Sequence, residues 1–427
     1  MKVTYFLIVA LLVVCGRVVL GGEIKDPKSA LPLDSAIAEA LAKNPELQVL
    51  EADMAAAHGE VVTAKTWQNP ELTVAPGVRR RSEGDENQTE FHGEFALSQL
   101  FLFPGKRALL VAIAERNVEL RKLALEGLRF QLATAVRKAF YEQLAAQKIA
   151  ALRKEQLASA ETFQEAATKR VESGYASDFE VVKSQSDVIN AKKLLRAAEG
   201  QIAEARVELN TLMGRDPSAA LQVSGTLEGA APSYTKTDVL ALAMARNPSL
   251  RTRSMQGDIA GLNLRKTRFG RRPDFAIGPS VEYLPNEQTY GISATISLPI
   301  WNTSKGEIES ATAEQRKAVA DIEKLRQEIA GAVTKSTAKL DVARDQLALY
   351  STAYLDKLKA LVAEAEKSYA QSATSLLIYL EARRTYFDTL ADYYEALANV
   401  AGSRAGLESA IGVPLELKIS TPKKRKK

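Results

Sequence analysis

Very few of the usual reactive groups are present in this chain. Its 427 residues include one cysteine, Cys15, and two histidines, His58 and His92, too few for a disulfide framework or a Cys/His zinc cluster. Ser336-Thr337-Ala338-Lys339 has the spacing of a Ser-x-x-Lys nucleophile, in which the lysine takes the serine proton, but no Ser-Asp-Asn or Lys-Thr-Gly partner accompanies it. Gly105-Lys106 lacks the upstream Gly and the following Ser or Thr of a phosphate-cradling loop. The chain is therefore not expected to be an enzyme, and no cofactor or metal site is expected. His58 and His92 read as polar residues on a rod and a strand. Formal net charge is +5, and the terminal Lys423, Lys424, Arg425, Lys426 and Lys427 account for all of it. A balanced body offers no basic face for nucleic acid.

The elements that hold these residues begin with a leader. Met1-Lys2 precede an apolar run, Val3 to Val14, about as long as a secretory h-region and short of the ~20 residues that span a bilayer. Two endings stay open: cleavage near Val19-Leu20-Gly21, giving a signal peptide over 1–21, or lipidation at Cys15, where Val14 occupies the place of the usual small residue. No later segment is an apolar 20-mer, so a membrane location requires a β-barrel or a lipid.

The rest is written twice. Asn44-Pro45-Glu46-Leu47 recurs as Asn247-Pro248-Ser249-Leu250, and Pro70 and Pro76 recur as Pro273 and Pro279 at the same offset; Leu209 to Gly214 pairs with Leu407 to Gly412. This gives repeats over 31–214 and 237–412, a linker over 215–236 and a basic tail over 415–427. Proline is absent between Pro104 and Pro217 and between Pro299 and Pro414, which marks two helical blocks. Breaks near Ser173-Gly174 and Ser372-Ala373-Thr374 make each block a helical hairpin, over 107–213 and 305–412. Long arms over 107–173 and 305–372 would reach about 100 Å, and return arms over 178–213 and 375–412 about 55 Å. Amphipathic helices over 33–66 and 237–268 would supply the missing length, with a waist at 217–235. A seam with small residues is expected along Ile322, Leu325, Ile329, Ala332, Ser336, Leu340, Ala343 and Leu347.

Between the rods lie four candidate strands. Tyr290, Ile292, Ala294, Ile296 and Leu298 alternate with small or polar residues, as do Phe91, Phe95 and Leu97. With Leu72 to Arg81 and Phe275 to Tyr283 they form one hairpin per repeat, over 72–100 and 275–300, with turns at Ser82–Thr89 and Leu284–Gln288. Trp67, Phe101, Phe103 and Trp301 fall at strand ends, where the aromatic girdle of a membrane barrel lies. The smallest such barrels have eight strands, so four strands need other copies; three copies supply twelve. Arg79-Arg80-Arg81 ends a strand beside a turn and serves either to pair with lipopolysaccharide phosphates or to keep an edge soluble.

These motifs, together with Ser98-Gln99 followed by Pro104-Gly105-Lys106-Arg107, Leu298-Pro299-Ile300-Trp301-Asn302 followed by Lys305-Gly306, and Arg170 to Ser177, resemble the TolC-like outer-membrane efflux proteins over residues 31–414. Within that family the Gly-Lys-Arg and Leu-Pro-Ile-Trp-Asn elements look most like members serving heavy-metal pumps of the resistance-nodulation-division type. The resemblance implies a mainly α fold with a trimeric 12-strand barrel above a long coiled-coil tunnel. It implies a homotrimer in the bacterial outer membrane, a periplasmic adaptor and an inner-membrane transporter as partners, and passive conduction of substrates, divalent heavy-metal cations in this subgroup. Export of organic compounds or type I secretion is the alternative, and a non-conducting periplasmic scaffold is a remoter one. The resemblance also implies that the tips at Arg170, Gly174 and Ser177 and at Tyr369, Ser372 and Thr374 contact the adaptor and constrict the tunnel. Glu172, Asp178 and Glu366 are the nearest carboxylates for a cation-favouring ring, with ordinary solvated helix charges as the other reading.

Overall fold

The computed structural model describes residues 30–83, 86–175, 177–227, 234–285 and 287–415. The leader with Cys15, residues 228–233 of the linker and the tail from 416 onward lie outside the described residues.

The element order repeats. In the first half come α1 (Leu33–Lys43), α2 (Pro45–Lys65), β1 (Glu71–Glu83), β2 (Glu86–Phe101), α3 (Lys106–Glu172) and α4 (Asp178–Leu212). The second half holds α5 (Lys236–Arg246), α6 (Pro248–Gly270), β3 (Phe275–Leu284), β4 (Glu287–Ile296), α7 (Lys305–Ala348), α8 (Thr352–Ala370) and α9 (Leu376–Ile411). With 67 residues, α3 runs about 100 Å. It is the central rod, packed against α2, α4, α6 and α9.

Several expected elements are divided differently. The helices expected over 33–66 and 237–268 are each broken at the Asn-Pro step. A residue before proline is driven out of the α region, and Asn44 and Asn247 sit at ψ 124° and 122°. Each Asn then caps the following helix: Asn44 Oδ1 accepts from Glu46 N at 2.9 Å, and Asn247 Oδ1 accepts from Ser249 N at 2.9 Å. The other end of each amide clamps the return helix, Asn44 Nδ2 donating to Leu212 O at 3.0 Å and Asn247 Nδ2 to Ala410 O at 3.1 Å. Gly214 and Gly412, at φ 67° and 84°, end those return helices. A Cβ on Gly214 would lie 2.7 Å from the Lys43 carbonyl oxygen, and one on Gly412 would lie 2.4 Å from Pro248 Cδ. The repeated Asn-Pro and Gly residues are thus two halves of one corner.

The arm expected over 305–372 is also not continuous. It stops at Ala348 and restarts at Thr352, where Ser351 Oγ accepts from Tyr354 N at 3.2 Å. No proline or glycine marks this break, so the sequence pattern ran through it. The α7 seam shifts by one residue: Val333 and Thr337 are buried between Ile329 and Leu340, while Ala332 is exposed. The first β-hairpin is longer than expected, its ladder running from Glu71↔Ser98 to Glu83↔Glu86.

Two cores sit at the corners. Ala36 and Ala40 of α1 pack with Val136, Phe140 and Leu209; Val239 and Ala243 of α5, displaced by the same offset as the Asn-Pro corners, pack with Leu340 and Leu407. The linker closes the first, with Leu221 and Val223 in the core and Leu31 bridged to Val223. Among the described residues no helix is long and apolar enough to cross a membrane.

Candidate functional site: helical tips, strand–helix junction and sheet

The two helical hairpins turn in the same way. At the first, Gly174 N donates to Val171 O at 2.9 Å and Tyr175 N to Arg170 O at 2.8 Å. At the second, Ser372 N donates to Tyr369 O at 2.9 Å and Ala373 N to Ser368 O at 2.8 Å. Both are Schellman turns with the left-handed position filled by Gly174 (φ 75°) in one and Ser372 (φ 60°) in the other. Ser177 and Ser375 then take the N-cap positions of α4 and α9, without side-chain capping bonds.

The structure brings the first tip onto the end of α8. Arg170 Nη1 donates to Tyr369 O at 3.2 Å, its Nη2 lies 3.4 Å from Ser372 Oγ, and its guanidinium lies 4.7 Å from the Tyr369 ring centroid. The buried Tyr369 donates its hydroxyl to Glu180 on the first turn of α4. Burial and the adjoining Glu180 carboxylate push the Tyr369 phenol up to about 12, so it stays a donor. Behind it, Phe163, Tyr369 and Tyr379 form an aromatic cluster with centroids 5.1–5.8 Å apart. Arg383, 3% exposed, stands over Phe163 and Tyr379 and pairs with Asp187 of α4, while its Nη1 donates to Ser159 O at 3.3 Å. Burial lowers its pKa to about 10, which leaves it cationic at neutral pH.

Of the expected tip residues, Arg170, Tyr369 and Ser372 meet; Thr374 is half-buried in the second turn, and Gly174 and Ser177 are exposed at the first. Glu172, Asp178 and Glu366 are exposed and enter none of these contacts. Glu366 contributes, after burial, to raising the Tyr379 phenol to about 12. Near the tips the carboxylates that join the hairpins are Glu180 and Asp187; farther along the rods Asp388 pairs with Arg153 and the buried Glu408 with Arg137, joining α3 to α9. A signal for Glu180 existed: it lies on the α4 stripe that continues through the buried Ser184, Val188 and Ala191.

At the other end the strands meet the helices. Asp274, just before β3, accepts from Phe103 N at 2.7 Å and from Lys106 Nζ at 2.9 Å, and Lys106 also donates to Arg272 O. Arg107 covers the Trp67 ring at 4.3 Å and Arg272 the Phe103 ring at 4.8 Å. Trp67 packs edge-on to Phe101, which stacks on Phe275 at 5.5 Å. Trp301 is 92% exposed.

The sheet has the order β1-β2-β3-β4, fully antiparallel, and the far edges of β1 and β4 have no partner strand among the described residues. Residues directly opposite share a face. One face carries Leu72, Val74, Val78, Phe91, Phe95, Leu97, Phe101, Phe275, Ile277, Tyr290, Ile292 and Ile296, each at least 41% exposed or packed in the aromatic row at the junction. The other carries Thr73, Arg79, Glu90, His92, Glu94, Ser98, Ser280, Glu282, Thr289 and Ser293. His92 Nδ1 lies 3.6 Å from Glu282 Oε1 on that polar face; His58 is exposed on α2. An exposed apolar face of this size, on a sheet with two bare edges, is a lipid-facing surface awaiting closure.

The sequence model of the family described as outer membrane efflux protein matches residues 36–215 and again 239–413. The chain belongs to that family. It is an outer-membrane efflux channel component, with the sheet as its membrane part and the rods as its periplasmic extension. Among similar proteins, the nickel-cobalt-cadmium resistance protein NccC of Alcaligenes xylosoxydans xylosoxydans is 25% identical over 74% of this chain and 72% of its own length. The cobalt-zinc-cadmium resistance protein CzcC of Cupriavidus metallidurans is 22% identical over 91% of each. Of solved structures, CusC superposes with a TM-score of 0.73 at 17% identity, covering 89% of this chain and 92% of that one. The Campylobacter jejuni CmeC outer membrane channel gives 0.74 at 15% identity, over 89% and 85%. These likenesses place the fold among TolC-like channels.

Proposed function

We propose that three copies of this efflux protein close a 12-strand barrel and a helical tunnel that conducts divalent heavy-metal cations outward, loaded by a periplasmic adaptor and an inner-membrane resistance-nodulation-division transporter. The observation that carries the channel reading is the four-stranded sheet with one apolar face and, among the described residues, two unpaired edges, at the end of rods of which α3 is about 100 Å long. Four strands have too little circumference to close alone. The cation reading rests on the resistance proteins that the chain resembles along most of its length, whose names give nickel, cobalt, zinc and cadmium.

The tips at Arg170, Gly174, Ser177, Tyr369, Ser372 and Thr374 are proposed as the adaptor contact and constriction. Exposed apolar side chains beside them, Tyr175, Phe179, Leu377 and Ile378, support a docking surface there. In the same reading Trp67, Phe101, Phe103 and Trp301 form the periplasmic aromatic girdle, and Glu172, Asp178 and Glu366 give the tunnel mouth its negative potential. Deleting the gene and measuring growth against divalent metal ions, and in parallel against dyes, detergents and antibiotics, tests the cargo. Sensitivity confined to metal ions is expected; sensitivity to organic compounds alone would transfer the channel to that cargo.

A further inference from the structure

The strand–helix junction inside the chain is built by β2 of the first repeat against β3 of the second. The bare edges of β4 and β1 present the same two kinds of element. Leu72 and Phe275 are equivalent by the offset that relates Pro76 to Pro279, and they pair with Leu97 and Ile296 respectively. Leu97 and Ile296 are therefore equivalent too, and their offset carries Lys106, first residue of α3, onto Lys305, first residue of α7. It also carries Gly105, at φ 96°, onto Ser304, at φ 53°, so the unusual left-handed backbone before both helices coincides.

We infer that Lys305 of one copy pairs with Glu71 of the next, in a strand register dictated by the chain's own β2–β3 junction. This deepens the trimeric reading and rests on it. Within the chain, Phe101 opposes Phe275 and Phe95 opposes Val281. Transferred by the two offsets, Ala294 of one copy opposes Val78 of the next, and Ile296, the last residue of β4, opposes Pro76. Carried two residues past the end of β4, the same register sets Leu298 opposite Val74 and Ser297 opposite Ala75, apolar against apolar on one face and small against small on the other. A slip of one residue would set the apolar row of one copy against the polar row of the next.

The end of the junction supplies the ion pair. Inside the chain, Lys106 Nζ reaches Asp274 at 2.9 Å, and the two side chains are 13% and 28% exposed. Their equivalents are Lys305 and Glu71, opposite in charge in the same order. Both are exposed, and neither has an ion pair or hydrogen bond from its side chain among the described residues. A cation and a carboxylate left bare at the two open edges, in the places where the internal junction has its half-buried pair, are complementary halves of one contact.

Cysteine pairs read the register directly, because directly opposed antiparallel residues lie within disulfide reach. In full-length protein purified in detergent, Ala75→Cys with Ser297→Cys is expected to oxidise to covalently linked trimers. Ala75→Cys with Ser293→Cys, four residues away on the same face, is expected to cross-link at least tenfold less. Lys305→Glu and Glu71→Lys should each lower the trimer fraction, and the double exchange should restore it. Trimers by native mass with no preference for the Ala75/Ser297 pair, or no rescue by the exchange, would overturn the register while leaving the channel reading intact. A wild-type protein that stays monomeric in membranes and detergent would overturn both.

Discussion

The Tyr369 hydroxyl and the Glu180 carboxylate join α8 to α4 across the two helical hairpins, and Arg170 crosses the same gap to the Tyr369 carbonyl. A hydrogen bond to a charged group contributes about 1.5–3 kcal/mol. Tyr369→Phe and Glu180→Gln should each loosen the tips, seen as larger conductance in planar bilayers. The double variant should add little to either single one, since Tyr369→Phe removes the bond that Glu180→Gln weakens by taking away its charge. Additive effects would mean that the two residues act separately. At the first corner, Glu39 is held at about 2 chiefly by its hydrogen bond from Arg215, which outweighs the opposing cost of burial, with Lys43 adding to the lowering. Its folded pKa lies below the ordinary carboxylate value, so the pair's stabilisation is present above about pH 4.5 and lost as pH falls toward about 2. Discounted for solvent, that contribution is about 1–2 kcal/mol. Acid titration of thermal stability should show this slope in the wild type and lose it in Glu39→Gln.

Among the elements, the two hairpin turns share one geometry and differ in one residue. Gly174 takes its left-handed conformation without steric cost, whereas Ser372 pays for the same φ in Cβ crowding. Ser372→Gly should therefore stabilise the second tip by about 0.5–1 kcal/mol, measurable as a raised denaturation midpoint. Gly174→Pro has the opposite character: proline is locked at negative φ and lacks the N–H that bonds Val171 O. That variant should abolish export while trimers still assemble, because the barrel and both corner cores lie far along the rods from the turn. Normal resistance in it would remove the tip from the export path. The corners were written in the sequence as Asn-Pro and Gly, yet their meaning was not. Only the fold shows that each Asn amide holds the last turn of a helix more than 160 residues away. The break at Leu349–Ser351 had no proline or glycine to announce it, and a lone Ser N-cap inside a periodic run does not stand out.

The whole molecule divides its surface between two solvents. Its sheet shows an apolar face to the outside and a polar one to the inside, while the rods are charged along most of their length. Extraction from cell envelopes should accordingly require detergent, and recovery in the soluble periplasmic fraction would contradict the barrel. The proposed conduction asks only for a polar inner wall, and the sheet supplies one with His92, Glu94 and Glu282.

By itself the sequence determined the repeated plan, because period-two alternation, proline-free blocks and duplicated corner motifs are local consequences of backbone geometry. It also determined that the strands had to find partners beyond the chain, since four strands fall short of any barrel. The tertiary structure alone decided which charges meet. Near the tips Glu180, Asp187 and Arg383 carry contacts between the hairpins, while the carboxylates of Glu172, Asp178 and Glu366 stay in solvent. The physical reason is rotational: on a rod, a step of one or two residues moves a side chain between the inner stripe and the outer face. That phase is fixed by packing between helices from different repeats.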